Sequence, residues 1–276
     1  QNFSMDKNNK PPKILVFDSG VGGLTIFRAL LEQTPDLEVV FASDNAGFPY
    51  GTRTEYSLLK RVHRVVERLI SKFSPDLVVI ACNSASTVAL PSLREKFDIP
   101  FVGVVPAIKP AAALSKTAHI GILATPATVS RDYTHQLVED FAGETKVSML
   151  GSSELVQMAE EKLRGVEPDA ESIMAILQPF IAEVTMDTLV MACTHFPLIQ
   201  EDLELHLPQV TNWVESGAAI ARRVRTLIPE DTSDTCLPPV HEAWLTATDP
   251  KIDELQEYLK GTANLSLQIY SVDSND

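Results

Sequence analysis

Cysteine is scarce in this sequence, with only three residues among 276. So small and odd a number does not make a disulfide framework, and it favours a reducing compartment. Metal-ligand spacing is absent as well: the chain contains no Cys-x-x-Cys and no His-Glu-x-x-His, and its six histidines are scattered. We therefore expect neither a disulfide-stapled fold nor a metal site.

Long apolar runs and an excess of positive charge are also missing. No stretch approaches 18 consecutive apolar residues, so no membrane span is predicted, and residues 1–12 lack the apolar core of a signal peptide. The net charge of −14, from 23 basic and 37 acidic residues, argues against a nucleic-acid surface. These features predict a cytoplasmic protein that binds neither membranes nor nucleic acid.

What the chain does contain is a regular alternation of strand-like and amphipathic helical segments. Such alternation indicates βαβ units, that is, an α/β fold with parallel strands and helices on both faces. The predicted strands cover residues 13–18, 38–43, 77–81, 101–104, 119–123, 146–150, 188–192, 211–214 and 243–246. The main predicted helices cover residues 54–73, 86–97, 128–141, 154–163, 169–184 and 216–228.

Two of the three cysteines end matching segments. Residues 77–84 (LVVIACNS) and 189–195 (LVMACTH) are short apolar runs that close in Ala-Cys and small polar groups. Each cysteine would lie where a buried parallel strand ends and a helix begins, which is where ligands bind in open α/β sheets. Free N–H groups at a helix N-terminus stabilise a thiolate. Cys82 and Cys193 are thus predicted to act together, removing a proton from one face of a carbon and delivering one to the other.

The third cysteine and the connection between the two matching segments are less informative. Cys236 lies in a turn-rich stretch, where a structural role is the simpler interpretation. The matching segments favour two α/β domains with pseudo-twofold symmetry, although one long sheet remains an alternative. Residues 105–110 are the candidate crossover between halves, because their prolines interrupt regular structure.

A glycine-rich turn follows the first predicted strand. Residues 13–25 (KILVFDSGVGGLT) are not a dinucleotide fingerprint, because Thr25 stands where the third glycine belongs, and they lack the Gly-Lys-Ser/Thr of a P-loop. The glycines allow the backbone to approach a ligand closely. Asp18, at the strand tip, is a candidate for holding an ammonium group or for assisting catalysis.

Further polar residues lie beside the two thiols and in a loop at residues 44–51 (DNAGFPYG). Asn83, Ser84 and Thr194 supply neutral hydrogen-bonding groups suited to a zwitterion. His195 is a candidate general acid or base near neutral pH, with helix capping as the alternative.

These residues together resemble glutamate racemases, within the Asp/Glu racemase superfamily. The motifs that carry the resemblance occur in the family's order, at residues 18–23 (DSGVGG), 49–51 (PYG), 81–87 (ACNSAST), 124–129 (ATPATV) and 192–198 (ACTHFPL). Residues 150–163 are similar to the branch from Gram-negative bacteria. One departure is Ser84, where the family usually has threonine; the hydroxyl is kept, so its contact is expected to survive.

The resemblance implies an isomerase that needs no cofactor, interconverts L- and D-glutamate and supplies D-glutamate for peptidoglycan, and hence for the cell wall and cell shape. It implies two α/β domains facing across an active-site cleft. We expect the first at residues 1–106 plus 215–276 and the second at 107–214. A UDP-muramoyl peptide is the implied activator, with the N-terminal segment and the hinge as candidate sites; monomer and dimer both stay open.

The family's motifs also imply roles for individual residues. Cys82 is expected to take the α-proton from D-glutamate and Cys193 from L-glutamate. Asp18 would tune the pKa of Cys82, and His195 that of Cys193, with Glu160 helping His195. The expected substrate-binding residues are Asp18, Ser19, Tyr50, Gly51, Asn83, Ser84, Thr128, Thr194 and His195.

Three other functions remain open from the sequence. An aspartate racemase or other amino-acid racemase of the superfamily would share both thiols, although residues 195–198 (HFPL) favour glutamate. A Cys–His hydrolase or transferase would use Cys193 as a nucleophile and form a trappable acyl-thiol, leaving Cys82 unexplained. A binding-only amino-acid sensor would not exchange the α-hydrogen of its ligand.

Overall fold

Two separate parallel sheets organise the chain, as described by a computed structural model over residues 10–228, 238–263 and 265–273. Residues 1–9 and Cys236 lie outside these ranges. The strands of the first sheet are β1 (Lys13–Asp18), β2 (Glu38–Ser43), β3 (Leu77–Ile80), β4 (Phe101–Gly103), β9 (Glu242–Leu245) and β10 (Leu267–Ile269). The strands of the second sheet are β5 (His119–Ala124), β6 (Lys146–Gly151), β7 (Thr188–Met191) and β8 (Asn212–Val214).

The order of strands creates a crevice in each sheet. The first sheet runs β10-β9-β2-β1-β3-β4 and the second β6-β5-β7-β8, with all neighbouring strands parallel. After β1 the chain builds outward to β2 on one side and returns to β3 on the other, and β5 is flanked in the same way by β6 and β7. Ligands of open α/β sheets bind outside the carboxyl ends of strands at such switch points.

Helices cover both faces of the sheets. They are α1 (Leu24–Gln33), α2 (Glu55–Phe73), α3 (Asn83–Lys96), α4 (Ile108–Leu114), α5 (Pro126–Val129), α6 (Asp132–Phe141), α7 (Ser153–Lys162), α8 (Ala170–Ile181), α9 (Gln200–Glu204), α10 (Gly217–Leu227) and α11 (Ile252–Ala263). Short 3-10 turns at Val21–Gly23 and Phe196–Ile199 follow β1 and β7. Within the described ranges, none of the helices combines the length and apolar character needed to cross a bilayer.

Side-chain alternation along β1 explains why the first sheet is covered on both faces. Ile14 and Val16 pack into one apolar cluster with residues of α1, α10 and α11, while Leu15 and Phe17 pack into another with α2 and α3. Successive side chains of a strand point to opposite faces, so a wholly apolar strand needs a helix layer on each side. The second sheet is built alike, with α7 and α8 on one face and α4 on the other.

The sequence-based fold prediction is confirmed in its main feature, two α/β units that each contain a parallel sheet. Each of the nine predicted strands overlaps one of β1 to β9. The predicted helix 128–141 is wrong as one element, because Arg131 is extended and divides it into α5 and α6. Residues 105–110 are not wholly irregular either: α4 begins at Ile108, with Pro110 in its first turn, where a missing N–H costs no helical hydrogen bond.

The chain leaves the first sheet and returns to it. All four strands of the second sheet come from residues 119–214, and the helix that follows, α10, packs against α1 before β9 and β10 extend the first sheet. The domain boundaries near residues 106 and 215 stay a proposal that this path of the chain supports.

The end of α2 offers a test of local backbone strain. Ser74 caps this helix in the left-handed conformation, with φ 47° and ψ 57°, which glycine adopts without steric cost. We expect Ser74→Gly to raise the free energy of unfolding by about 0.5 to 1 kcal/mol, measured by urea denaturation. Ala182 caps α8 at a φ of −69°, which alanine adopts without strain. The control Ala182→Gly should therefore lower the free energy of unfolding by about as much. If the Ser74→Gly protein is no more stable than its parent, the left-handed conformation of Ser74 does not destabilise the fold.

Candidate active site

A cavity lies where the carboxyl ends of the two sheets face each other. Of the residues predicted to form the site, those that line it are Ser19, Tyr50, Gly51, Cys82, Asn83, Ser84, Cys193, Thr194 and His195. Lining residues that the sequence analysis did not assign to the site are Phe48, Pro49, Thr52, Thr125, Ser153 and Val156. Side chains that follow β1, β3, β5 and β7 therefore meet in one enclosure.

The two thiols enter this cavity from different sheets. Cys82 follows β3 at the N-cap of α3, and Cys193 follows β7; their side chains are almost fully buried, and both are free. The Cys82 thiol donates to the Ser19 hydroxyl over 3.7 Å. Burial raises the pKa of Cys82 well above its ordinary value, and the charges of Asp18 and Cys193 raise it further. Cys82 is thus stable as a neutral thiol.

A histidine and a carboxylate stand behind Cys193. His195 Nδ1 lies 3.6 Å from the Cys193 sulfur, and His195 Nε2 lies 2.7 Å from Glu160 Oε1. Burial lowers the pKa of His195, but the hydrogen bonds with Cys193 and Glu160 outweigh it and raise this pKa well above its usual value. The alternative of a capping histidine does not describe this side chain, which makes no capping hydrogen bond. The imidazolium of His195 therefore lies beside the sulfur of Cys193.

Glu160 is ionised although it is buried. Its Oε1 accepts the Val21 N–H over 2.6 Å in addition to His195, and its Oε2 pairs with Arg164. Burial raises the pKa of Glu160, but His195, Arg164 and Val21 together lower it below the ordinary value. Sequence reasoning assigned Glu160 to this place only through the family resemblance.

Asp18 lies beneath the cavity and does not line it. Its carboxylate accepts the Ser19 N–H over 2.7 Å and the Thr194 hydroxyl over 2.8 Å, so it joins the ends of β1 and β7. Burial raises its pKa, although the charge of His195 and the bonds from Thr194 and Ser19 oppose this. The fully buried carboxylate of Asp18 is thus held by Ser19 and Thr194, two residues that line the cavity.

The glycine-rich turn allows the loop of the first sheet to lie against the residues of the second. A Cβ atom on Gly22 would come within 2.5 Å of His195 Nδ1, and one on Gly20 would overlap the Glu160 carboxylate. Any side chain at either position would displace the groups behind Cys193. Glycine is therefore required at both positions, because only a residue without a Cβ lets this turn lie so close to His195 and Glu160.

Two predicted substrate-binding residues have hydroxyls that bond to other side chains of the protein. Tyr50 lines the cavity, and its hydroxyl donates to Asp44 over 2.5 Å. Thr128 is fully buried behind Thr125, whose hydroxyl bonds it over 3.0 Å. Thr125 lines the cavity, and its position just after β5, like that of Cys82 after β3, was the signal that could have identified it.

The cavity contains hydrogen-bond donors without a lysine or arginine among its lining residues. The buried Asn83 Nδ2 has no hydrogen-bond partner within the described part of the protein. The N-termini of α3 and α7, at Asn83 and Ser153, open on the cavity and present free N–H groups. No group of three His, Cys, Asp or Glu side chains among the described residues is arranged to hold a metal ion. The arrangement suits an anionic ligand held between two thiols.

Comparisons with known proteins agree with the motifs. A sequence model of the family described as Asp/Glu/Hydantoin racemase matches residues 14–224. Glutamate racemases from Escherichia coli strains S88 and ED1a are 46% identical over 250 residues, covering 90% of this chain and 88% of theirs. The crystal structure of Escherichia coli glutamate racemase in complex with L-glutamate and the activator UDP-MurNAc-Ala aligns with a TM-score of 0.87 at 44% identity, over 95% of this chain and 98% of that one. A glutamate racemase isoform from Bacillus anthracis aligns with a TM-score of 0.80 at 26% identity, over 96% of this chain and 98% of that one.

The charge on His195 can be tested directly. At pH 7 we expect an imidazolium, because Glu160 and Cys193 raise its pKa. A Glu160→Gln variant loses the carboxylate charge that helps to raise the pKa of His195, so the NMR titration midpoint of this ring should move downward. His63, which bonds Ser92 over 2.7 Å and has a pKa lowered by burial, serves as the internal control and should titrate alike in both proteins. Equal midpoints for His195 in both proteins would show that Glu160 does not hold the charge.

Proposed function

The chain belongs to the Asp/Glu/hydantoin racemase family, and we propose that it is a glutamate racemase that uses Cys82 and Cys193 as its two acid–base groups. The observation that carries this proposal is that both thiols line one cavity, from the ends of strands in different sheets. The high identity to glutamate racemases over 90% of the chain supports glutamate as the substrate. The expectation formed from the motifs thus agrees with the comparisons.

The chemistry requires removal of a weakly acidic proton. With L-glutamate, the Cys193 thiolate takes the α-proton: the C–H bond breaks, an S–H bond forms, and the electron pair stays on carbon. The Cys82 thiol then gives its proton to the opposite face, forming D-glutamate and a Cys82 thiolate. For D-glutamate the same steps run in reverse with the roles exchanged. Positioned donors and exclusion of water stabilise the carbanion.

The two thiols have different electrostatic environments. Burial and Asp18 favour a neutral Cys82, while the imidazolium of His195 faces the sulfur of Cys193 over 3.6 Å. The imidazolium of His195 is thus placed to assist Cys193 when that residue takes the proton of L-glutamate. Glu160 supports this state because its carboxylate compensates the charge of His195.

A dicarboxylate substrate is supported by the donors of the cavity. The unpartnered Asn83 amide and the N-termini of α3 and α7 supply N–H groups at separate places on the wall. Ser19 and Ser84 add hydroxyls, and Gly51 and Thr194 line the same cavity. Each carboxylate of glutamate can thus be bound by dipoles without a cationic side chain. The contact of Thr128 is indirect in this scheme, through Thr125.

The alternative functions are less well supported. An aspartate or other amino-acid racemase would use the same thiols, but the relatives compared are glutamate racemases. A hydrolase with Cys193 as nucleophile would need no thiol facing it, whereas Cys82 shares the cavity. A binding-only sensor would need neither the buried charge pair nor the two thiols.

The cellular role follows from the product. D-Glutamate is a component of peptidoglycan, so the enzyme would supply cell-wall synthesis in the cytoplasm, where free thiols persist. The Escherichia coli structure was solved with UDP-MurNAc-Ala as an activator, and we include activation of this chain by such a nucleotide in the proposal. Its binding site is not assigned, because part of the N-terminal segment expected to contribute lies outside the described residues.

Serine substitutions test the two-thiol assignment. We expect Cys82→Ser and Cys193→Ser each to slow racemisation by at least about 10²- to 10⁴-fold, because each removes one acid–base group. Circular dichroism of glutamate measures the rate, and far-UV circular dichroism checks the fold. Cys236→Ser, which alters the cysteine outside both motifs, should keep the parent rate. Near-normal turnover in both single variants would refute the assignment.

Isotope incorporation tests the separation of the two faces. In heavy water, D-glutamate formed from L-glutamate should carry deuterium at the α-carbon, while early recovered L-glutamate should remain protiated. The reason is that the thiol giving the new proton has exchanged with solvent and lies on the opposite face. Proton NMR of the separated enantiomers, with and without UDP-MurNAc-Ala, measures this. Retention of the substrate's own proton in the product would indicate one base, and no exchange at all would indicate a binding protein.

A further inference from the structure

Glu160 is held by an ion pair that extends away from the cavity. Arg164 lies one helical turn beyond Glu160, just after α7, and its Nη1 contacts Glu160 Oε2 over 2.6 Å and the Glu160 carbonyl over 2.7 Å. The other side of the guanidinium faces Asp249, with Nε at 3.0 Å and Nη2 at 2.7 Å from the same Oδ2. Arg164 therefore bridges two carboxylates.

These two carboxylates come from different parts of the fold. Glu160 and Arg164 belong to the segment that builds the second sheet, whereas Asp249 follows β9 of the first sheet. The Val21 N–H, which binds Glu160 Oε1, also comes from the first sheet, through the glycine-rich turn. The first sheet thus reaches Glu160 twice, directly at one oxygen and through Arg164 at the other.

The bridge is shielded from solvent. The exposed fractions of the side chains are 14% for Arg164, 5% for Glu160 and 6% for Asp249. The charged groups facing Glu160 are Arg164 on its own helix segment, His195 after β7 and Asp18 at the end of β1. Arg164 faces the two carboxylates, and its carbonyl accepts from Lys251 over 3.5 Å. A two-sided guanidinium holds carboxylates in a fixed geometry that a lysine would not reproduce.

We propose that Arg164 and Asp249 are positioning residues for the proposed racemase reaction, which fix the Glu160 carboxylate against His195 through contacts supplied by both sheets. Neither residue lines the substrate cavity, so both act through Glu160 and His195 on Cys193. The inference rests on the proposed function. According to this inference, Glu160 is held correctly behind His195 and Cys193 only when Asp249, in the loop after β9, binds Arg164 at the end of α7.

The two residues should leave different signatures. Arg164 contributes to the lowered pKa of Glu160, so loss of its charge should raise that pKa and move the acid limb of the kcat/KM–pH profile to higher pH. Asp249→Asn keeps the charge of Arg164 but weakens the contact that holds its guanidinium in place. It should therefore lower kcat without moving the acid limb to higher pH. If the two residues had a purely structural role, both variants would change stability or the fraction of active enzyme, and the acid limb would lie at the same pH in both.

The experiment compares Arg164→Gln and Asp249→Asn with the control Lys162→Gln. The control breaks another half-buried ion pair of α7, with Asp202 at 2.6 Å, that does not touch Glu160. We expect kcat to fall about tenfold or more in the first two variants, since small misplacement of catalytic groups is costly, while KM stays within about twofold. The control should match its parent, and far-UV circular dichroism with thermal melting verifies the folds.

Each outcome decides one hypothesis. If the parent racemises glutamate and both bridge variants match it in rate and acid limb, the positioning role is wrong and the proposed function stands. A rate loss equal to that of Lys162→Gln, or explained wholly by unfolding at the assay temperature, also overturns the positioning role. If Arg164→Gln fails to fold, the rate and pH profile of Asp249→Asn decide alone. A parent that does not racemise glutamate refutes the proposed function itself.

Discussion

The carboxyl ends of two parallel sheets face one another, and the remaining geometry of the site depends on this opposition. A parallel strand delivers its last side chain and the following helix N-terminus to one edge of its sheet. β3 delivers Cys82 in this way and β7 delivers Cys193. Contacts between the two sheets hold these edges together. One of them is the hydrogen bond of 2.8 Å that the Thr194 hydroxyl donates to the Asp18 carboxylate. The proposed racemase reaction needs one thiol on each side of the substrate, and the facing edges of the two sheets place Cys82 and Cys193 in this way.

The two sides of the cavity differ although the reaction is symmetric. Cys82 has a hydroxyl, Ser19, as its nearest side-chain partner, while Cys193 is backed by the charged pair of His195 and Glu160. A stereocentre that inverts requires only an acid–base group on each face, not mirror-image surroundings. The unlike surroundings favour a neutral thiol at Cys82 and place an imidazolium beside the sulfur of Cys193.

The sequence predicts the local parts of this structure better than the contacts between them. Wholly apolar runs such as Leu77–Ile80 identify buried strands, and the polar residues after them identify the functional edge. β10 was missed because three residues at a sheet edge carry too little periodicity. The bond from Val21 to Glu160 spans 139 positions, and nothing local in either segment indicates its partner. Thr125 shares the position after a strand with Cys82, but as a small hydroxyl residue it looks like an ordinary helix cap.

An acidic protein that binds a dicarboxylate faces an electrostatic difficulty. With a net charge of −14, the average field repels the ligand, so attraction must come from groups within the cavity. Lysine or arginine would supply it, but none lines the wall. The N-termini of α3 and α7 and the Asn83 amide provide directed N–H dipoles instead. Among the residues that line the cavity, the positive charge is that of His195, beside Cys193.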